Sequence, residues 1–137
     1  MTNRKLILEA RKALEYAYTP YSHHKVGAAL LTKDGKVYHG CNIENAGYSP
    51  TNCAERTAFF KAVSEGEREF VKIAVVGGME GTDYSVTCAP CGVCRQVMME
   101  FCNPETFKIV LMDGPDKDFE LTLKELLPWG FGPDNIK

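Results

Sequence analysis

Val71-Lys72-Ile73-Ala74-Val75-Val76, then Gly92-Val93-Cys94-Arg95-Gln96-Val97-Met98-Met99-Glu100-Phe101-Cys102, then Phe107-Lys108-Ile109-Val110-Leu111-Met112 follow one another between positions 71 and 112. The outer two runs are short and almost wholly apolar, which is how a strand buried on both faces reads. The middle run has the length and composition of a short helix. Strand, helix and strand in that order make a crossover unit, so the two strands are expected to lie parallel in one sheet.

Working outward, apolar residues at 6, 7, 10, 14 and 17 give residues 5–18 a helical period, which Pro20 ends. Val26–Leu31 and Lys36–Cys41 read as a hairpin around Thr32-Lys33-Asp34-Gly35, whose Asp-Gly supplies the positive φ of the turn. Residues 42–52 have loop chemistry. Ala54–Glu65 reads as a helix with Phe59, Ala62 and Val63 on its apolar side and Gly66 as its stop. Gly77–Val86 reads as a glycine-rich loop, and Phe119–Leu123 as a fifth strand. The expected fold class is α/β, a mixed five-stranded sheet covered by helices, in one domain spanning residues 1–137.

The composition narrows the function. A chain of 137 residues with 45% hydrophobic and 25% charged residues can bury one core. Its net charge is −2 with no basic run, so no nucleic-acid partner is expected. No apolar run approaches the roughly 20 residues of a membrane span, and the amphipathic start lacks the apolar stretch of a signal peptide. The expectation is a cytoplasmic protein with no membrane partner. In that compartment the six cysteines are expected to be reduced, and clustered reduced thiols point to metal.

Two fragments carry the chemistry: Cys53-Ala54-Glu55 and Pro90-Cys91-Gly92-Val93-Cys94. Each set of thiols sits at the start of an expected helix, where free N–H groups and the positive dipole end favour thiolates. Zinc takes thiolates in a tetrahedron, and a catalytic site keeps the fourth corner for water. Cys53, Cys91 and Cys94 could fill three corners, with Glu55 beside the open one. A redox pair would not account for the distant Cys-x-Glu. An iron–sulfur run built on Cys88, Cys91 and Cys94 would next want cysteine where Met98 stands. A structural four-cysteine site closed by Cys88 or Cys102 stays open on spacing alone.

The same fragments match the zinc-deaminase signature in its all-cysteine form. Together with Pro20-Tyr21-Ser22, Val26-Gly27-Ala28-Ala29-Leu30-Leu31, Gly40-Cys41-Asn42-Ile43-Glu44-Asn45, Asn52-Cys53-Ala54-Glu55-Arg56, Pro90-Cys91-Gly92-Val93-Cys94-Arg95-Gln96-Val97 and Glu125-Leu126-Leu127-Pro128, they run through nearly the whole chain. In these motifs, and in their order, the chain resembles the cytidine deaminase family in its short, homotetrameric form.

The resemblance implies a three-layer α/β/α fold, one zinc ion per chain, and hydrolysis of cytidine and 2′-deoxycytidine to the uridines plus ammonia. Zinc-bound hydroxide would attack carbon 4 of the pyrimidine, while Glu55 carries protons to ring nitrogen 3 and to the leaving amine. The Ala54 N–H would hold the ring carbonyl, and the Ala89 carbonyl would accept from the amino group. Asn42 and Glu44 match positions that grip the sugar hydroxyls. Tyr48 and Phe131 resemble aromatics that neighbouring subunits of the homotetramer contribute. Arg56 is expected to hydrogen-bond the thiolates and withdraw charge from them. The chain departs from the family at His24, where phenylalanine usually stacks on the base, and in a longer Gly77–Thr87 segment. A deaminase of another cytosine-containing nucleoside such as blasticidin S, or a non-catalytic zinc domain, would share the cysteines.

Overall fold

A computed structural model describes residues 1–126 of the chain. Five strands form one sheet: β1 (His24–Thr32), β2 (Val37–Cys41), β3 (Phe70–Met79), β4 (Lys108–Met112) and β5 (Asp118–Thr122). Their order is β2-β1-β3-β4-β5. Among the described strands only β3 and β4 pair in parallel, and every other neighbour is antiparallel. The sheet is therefore mixed, and the parallel pair is the one joined by the crossover. Among the described residues four helices accompany it: α1 (Asn3–Leu14), α2 (Ala54–Ser64), α3 (Gly92–Phe101) and the short α4 (Leu123–Leu126).

The layering follows from the period of two along each strand. On β1, Ala28 and Leu30 pack with Ala58, Phe59 and Ala62 of α2 and Met98 of α3. The alternate residues Ala29 and Leu31 face Leu6, Ile7, Ala10 and Leu14 of α1 on the other side. Helix, sheet and helix thus make three layers. The approach is closest at two glycines. A Cβ on Gly27 would lie 2.2 Å from Ala10 O of α1, and one on Gly40 2.2 Å from Ala54 O in the first turn of α2.

The largest departures from the sequence-based boundaries have identifiable causes. Helix α1 begins at Asn3 because the Thr2 side chain caps it, accepting from Lys5 N at 3.2 Å. It ends at Leu14, well before Pro20, because Tyr18 is already extended in a bridge with Ile43. The expected loop from Gly77 is instead strand: Gly77, Gly78 and Met79 continue β3 opposite Val26, Lys25 and His24. A Cβ on Gly77 would lie 2.9 Å from Cys88 Sγ, so this glycine makes room for a side chain. In the β1–β2 turn only Gly35 takes positive φ, at 90°.

The register sets the position of the site. Cys41 at the end of β2 pairs with Gly27, and Met79 at the end of β3 pairs with His24. The carboxyl ends of β2 and β3 and the start of β1 therefore share one end of the sheet. From there the chain runs on toward α2 and α3, and crevices at such strand ends are where ligands bind in open α/β sheets.

Candidate active site

Cys53 is the N-cap residue of α2 and Cys91 that of α3, both with extended backbone and neither making a side-chain capping bond. Cap positions usually go to residues whose oxygen bonds the free amides. Cysteine there leaves the sulfur available and still near the positive helix end. Cys94, in the first turn of α3, is fully buried. The three sulfurs lie within 4.8 Å of one another, with Cys53 to Cys91 at 3.6 Å and Cys91 to Cys94 at 3.5 Å. Zinc–sulfur bonds of about 2.3 Å at tetrahedral angles put sulfurs roughly 3.8 Å apart, so the thiols fit three corners of a zinc tetrahedron. Among the described residues the cluster has three members, and neither Cys88 nor Cys102 joins it. Burial pushes those two thiols up, to about 11 and about 12.

The sulfurs share protons unequally. Proton sharing with Cys94 and the hydrogen bond from Arg56 hold Cys53 well below the usual thiol range, and Cys94 is raised by the same sharing. Arg56 Nη2 donates to Cys53 Sγ at 3.3 Å. Arg56 Nε is buried with no partner among the described residues.

Glu55 follows Cys53 by two residues and is only 4% exposed. Burial, helped by the charge on Cys53, raises its carboxyl to about 7. A carboxylic acid poised near neutrality can both take and give a proton at working pH. Ala54, the first residue of α2, has no intrahelical acceptor for its N–H. Ala89 is exposed, two residues before Cys91.

Asn42 and Glu44 are engaged mainly with the backbone. Asn42 Oδ1 accepts from Val26 N at 2.9 Å, and its Nδ2 donates to His24 O at 2.8 Å. Glu44 Oε1 accepts from Tyr21 N at 3.0 Å and Ser22 N at 3.1 Å, and Oε2 accepts from the Ser22 hydroxyl. Glu44 lines a cavity of about 410 Å³ with Tyr21, Ser22, Asn45, Tyr48 and Thr51, which the cysteines do not line. Tyr48 is 74% exposed at positive φ, edge-on to Tyr21 at 6.4 Å. His24 opens β1, half-buried. Phe131 lies outside the described residues. Ser22 carries no signal in the sequence beyond its place in Pro-Tyr-Ser. Arg95, whose Nε donates to Pro90 O at 3.1 Å and Nη1 to Leu126 O at 2.7 Å, braces the approach to Cys91 and likewise had none.

Residues 1–110 match the family described as the cytidine and deoxycytidylate deaminase zinc-binding region. A cytidine deaminase of Sporosarcina psychrophila is 52% identical over 136 residues, covering 99% of this chain and 96% of the relative. One from Halalkalibacterium halodurans is also 52% identical, over 99% of this chain and 98% of its own. The crystal structure of cytidine deaminase from Burkholderia pseudomallei superposes with a TM-score of 0.84 at 51% identity, covering 96% of this chain and all of that one. The described residues contain no helix long and apolar enough to cross a membrane. A zinc-binding match that takes in all three clustered cysteines assigns one zinc ion to the chain, and likeness along nearly its full length settles its kinship: the chain belongs to the cytidine and deoxycytidylate deaminase family.

Proposed function

We propose that this chain catalyses the hydrolytic deamination of cytidine and 2′-deoxycytidine to the corresponding uridines and ammonia. The observation that carries the reading is Glu55, buried and neutral-poised two residues after one of three sulfurs that fit a zinc tetrahedron. Cys53, Cys91 and Cys94 hold the metal. Zinc bound there supplies a Lewis acid that acidifies water at the open fourth corner. Glu55 takes a proton from the attacking water and delivers it to ring nitrogen 3, then takes the proton left on the carbon-4 hydroxyl and gives it to the departing amine as the new carbonyl forms. Its raised pKa suits transfer in both directions.

The remaining assignments rest on the same reading. The Ala54 N–H holds the ring carbonyl and the Ala89 carbonyl accepts from the substrate amino group. Asn42 and Glu44 bind the sugar, and His24 stacks on the base. Arg56 donates to the thiolates and draws charge from them, which its 3.3 Å contact with Cys53 supports. Residues 1–137 act as one domain in a cytoplasmic homotetramer with shared sites, Tyr48 and Phe131 each reaching a neighbour. The exposure of Tyr48 supports that assembly.

Ammonia release from cytidine by the zinc-loaded enzyme, with and without chelator, tests the proposal. Release that chelation abolishes and zinc restores is expected, and release indifferent to chelation contradicts it. The Glu44 carboxylate should repel phosphate, so cytidine should far outrun its 5′-monophosphate. Free cytosine should be poor for lack of sugar contacts.

A further inference from the structure

The Glu44 carboxylate is held by more bonds than its place beside a cavity requires. A carboxylate offers about four lone-pair positions on its two oxygens. Two on Oε1 are taken by the amides of Tyr21 and Ser22, and one on Oε2 by the Ser22 hydroxyl. One acceptor position remains, on Oε2. The Ser22 hydroxyl is itself oriented, because Oγ accepts from His24 N at 3.0 Å and so turns its proton toward Glu44. The bonds therefore run in one direction, from His24 N–H through Ser22 to Glu44, and each polarises the next. The Ser22 hydroxyl holds the Glu44 carboxyl below its usual range, so the acceptor stays ionised.

This arrangement needs a sharp reversal after Ser22. His23 supplies it at φ 59°, a conformation that few non-glycine residues adopt. The reversal is pinned from outside: Glu80 N donates to His23 O at 2.7 Å, and His23 Nδ1 lies 3.4 Å from the Glu80 carboxylate. Asn42 braces the same stretch through Val26 N and His24 O.

We propose that Ser22 is a positioning residue for the sugar site, fixing Glu44 so that one acceptor position stays open to one sugar hydroxyl. It rests on the reading of Glu44 as a sugar contact in a nucleoside deaminase. The hydroxyl donates to Glu44, the ionised acceptor, and Ser22, whose proton is already committed, cannot donate to it. Any further sugar hydroxyl finds no acceptor left on Glu44.

The test compares zinc-loaded wild type, Ser22→Ala, Ser22→Thr, Glu44→Gln and the Ser22→Ala/Glu44→Gln double variant on cytidine and on 2′,3′-dideoxycytidine. Wild type should prefer cytidine. In Ser22→Ala that preference should fall about tenfold, the scale of one hydrogen bond to a charged group, mainly through KM for cytidine. Ser22→Thr should restore it, zinc content and Tm should match wild type, and Ser22→Ala should add nothing to Glu44→Gln. Equal losses on both nucleosides, a further loss in the double variant, or an unchanged preference in Ser22→Ala would each overturn the assignment. If Glu44→Gln keeps the wild-type preference, the sugar-contact reading of Glu44 fails and takes the proposal with it. A zinc-loaded wild type inactive on cytidine refutes the activity itself.

Discussion

Replacing Gly40 with alanine should damage the active site without touching a catalytic group. A Cβ there would stand 2.2 Å from Ala54 O and 2.6 Å from Ala58 N, whereas ordinary contact begins at 3.4 Å. The first turn of α2 must retreat by the difference, about 1.2 Å, because the obstructing atoms are backbone. That turn carries Cys53 and Glu55 away from Cys91 and Cys94, and Cys53 Sγ now lies 3.6 Å from Cys91 Sγ. Overpacking of this kind costs roughly 1–3 kcal/mol, which for a chain of this size is roughly 3–10 °C in Tm. A displacement of about 1 Å in catalytic geometry costs on the order of a hundredfold in rate. Gly27→Ala is the matched control. Its Cβ would meet Ala10 O at the same 2.2 Å, but on the α1 side of the sheet. Both variants should melt lower. Only Gly40→Ala should also lose zinc affinity and turnover per bound zinc, read by chelator competition and ammonia release. If the two variants lose turnover per zinc equally, or Gly40→Ala keeps it, the claim that this contact seats the first turn of α2 is wrong.

Cys53→Ala, Cys91→Ala and Cys94→Ala should each purify without zinc, while Cys88→Ala and Cys102→Ala keep it; loss of metal from Cys88→Ala would mean a different ligand set. Arg56→Gln should retain zinc and lose turnover at least tenfold, since the Cys53 thiolate would lose its donor at 3.3 Å; full activity would remove Arg56 from the mechanism. In the metal-free protein the Glu55 carboxyl titrates at about 7, against about 4.3 in the unfolded chain. Its protonated form therefore contributes stability that is complete below about pH 4.3 and lost as pH rises through 7. Glu55→Gln cannot ionise, so between pH 4 and 8 it should be spared a loss of roughly 3 kcal/mol that wild type suffers. Parallel denaturation profiles for the two would refute the burial argument.

Local signals carried much of the architecture. The two apolar runs at 71–76 and 107–112 announce buried strands, and the helix between them leaves only a parallel pairing, which β3 and β4 adopt. The approach of Cys53 to Cys91 follows from helices that both start at one end of the sheet, so spacing and helix starts were enough to anticipate a cluster. What stayed hidden depends on partners distant in sequence. Gly77 and Gly78 look like loop until Val26 and Lys25 are seen opposite them and Cys88 Sγ beside Gly77. The early end of α1 comes from a bridge between Tyr18 and Ile43, which no periodicity encodes. Glu44 reads as a polar loop residue because its three donors come from Tyr21 and Ser22, a full hairpin earlier. Leu123 was expected at the end of a strand, but it is buried as the first residue of α4.

The most direct test of a zinc site served by a buried proton carrier compares wild type with Glu55→Gln at equal, measured zinc content, following ammonia release from cytidine. Glutamine keeps the size of the side chain and its place beside Cys53 but cannot pass a proton. The account predicts that zinc and cytidine binding persist while turnover falls a hundredfold or more, the scale of a lost general acid–base. Wild-type turnover in the zinc-loaded variant would contradict it.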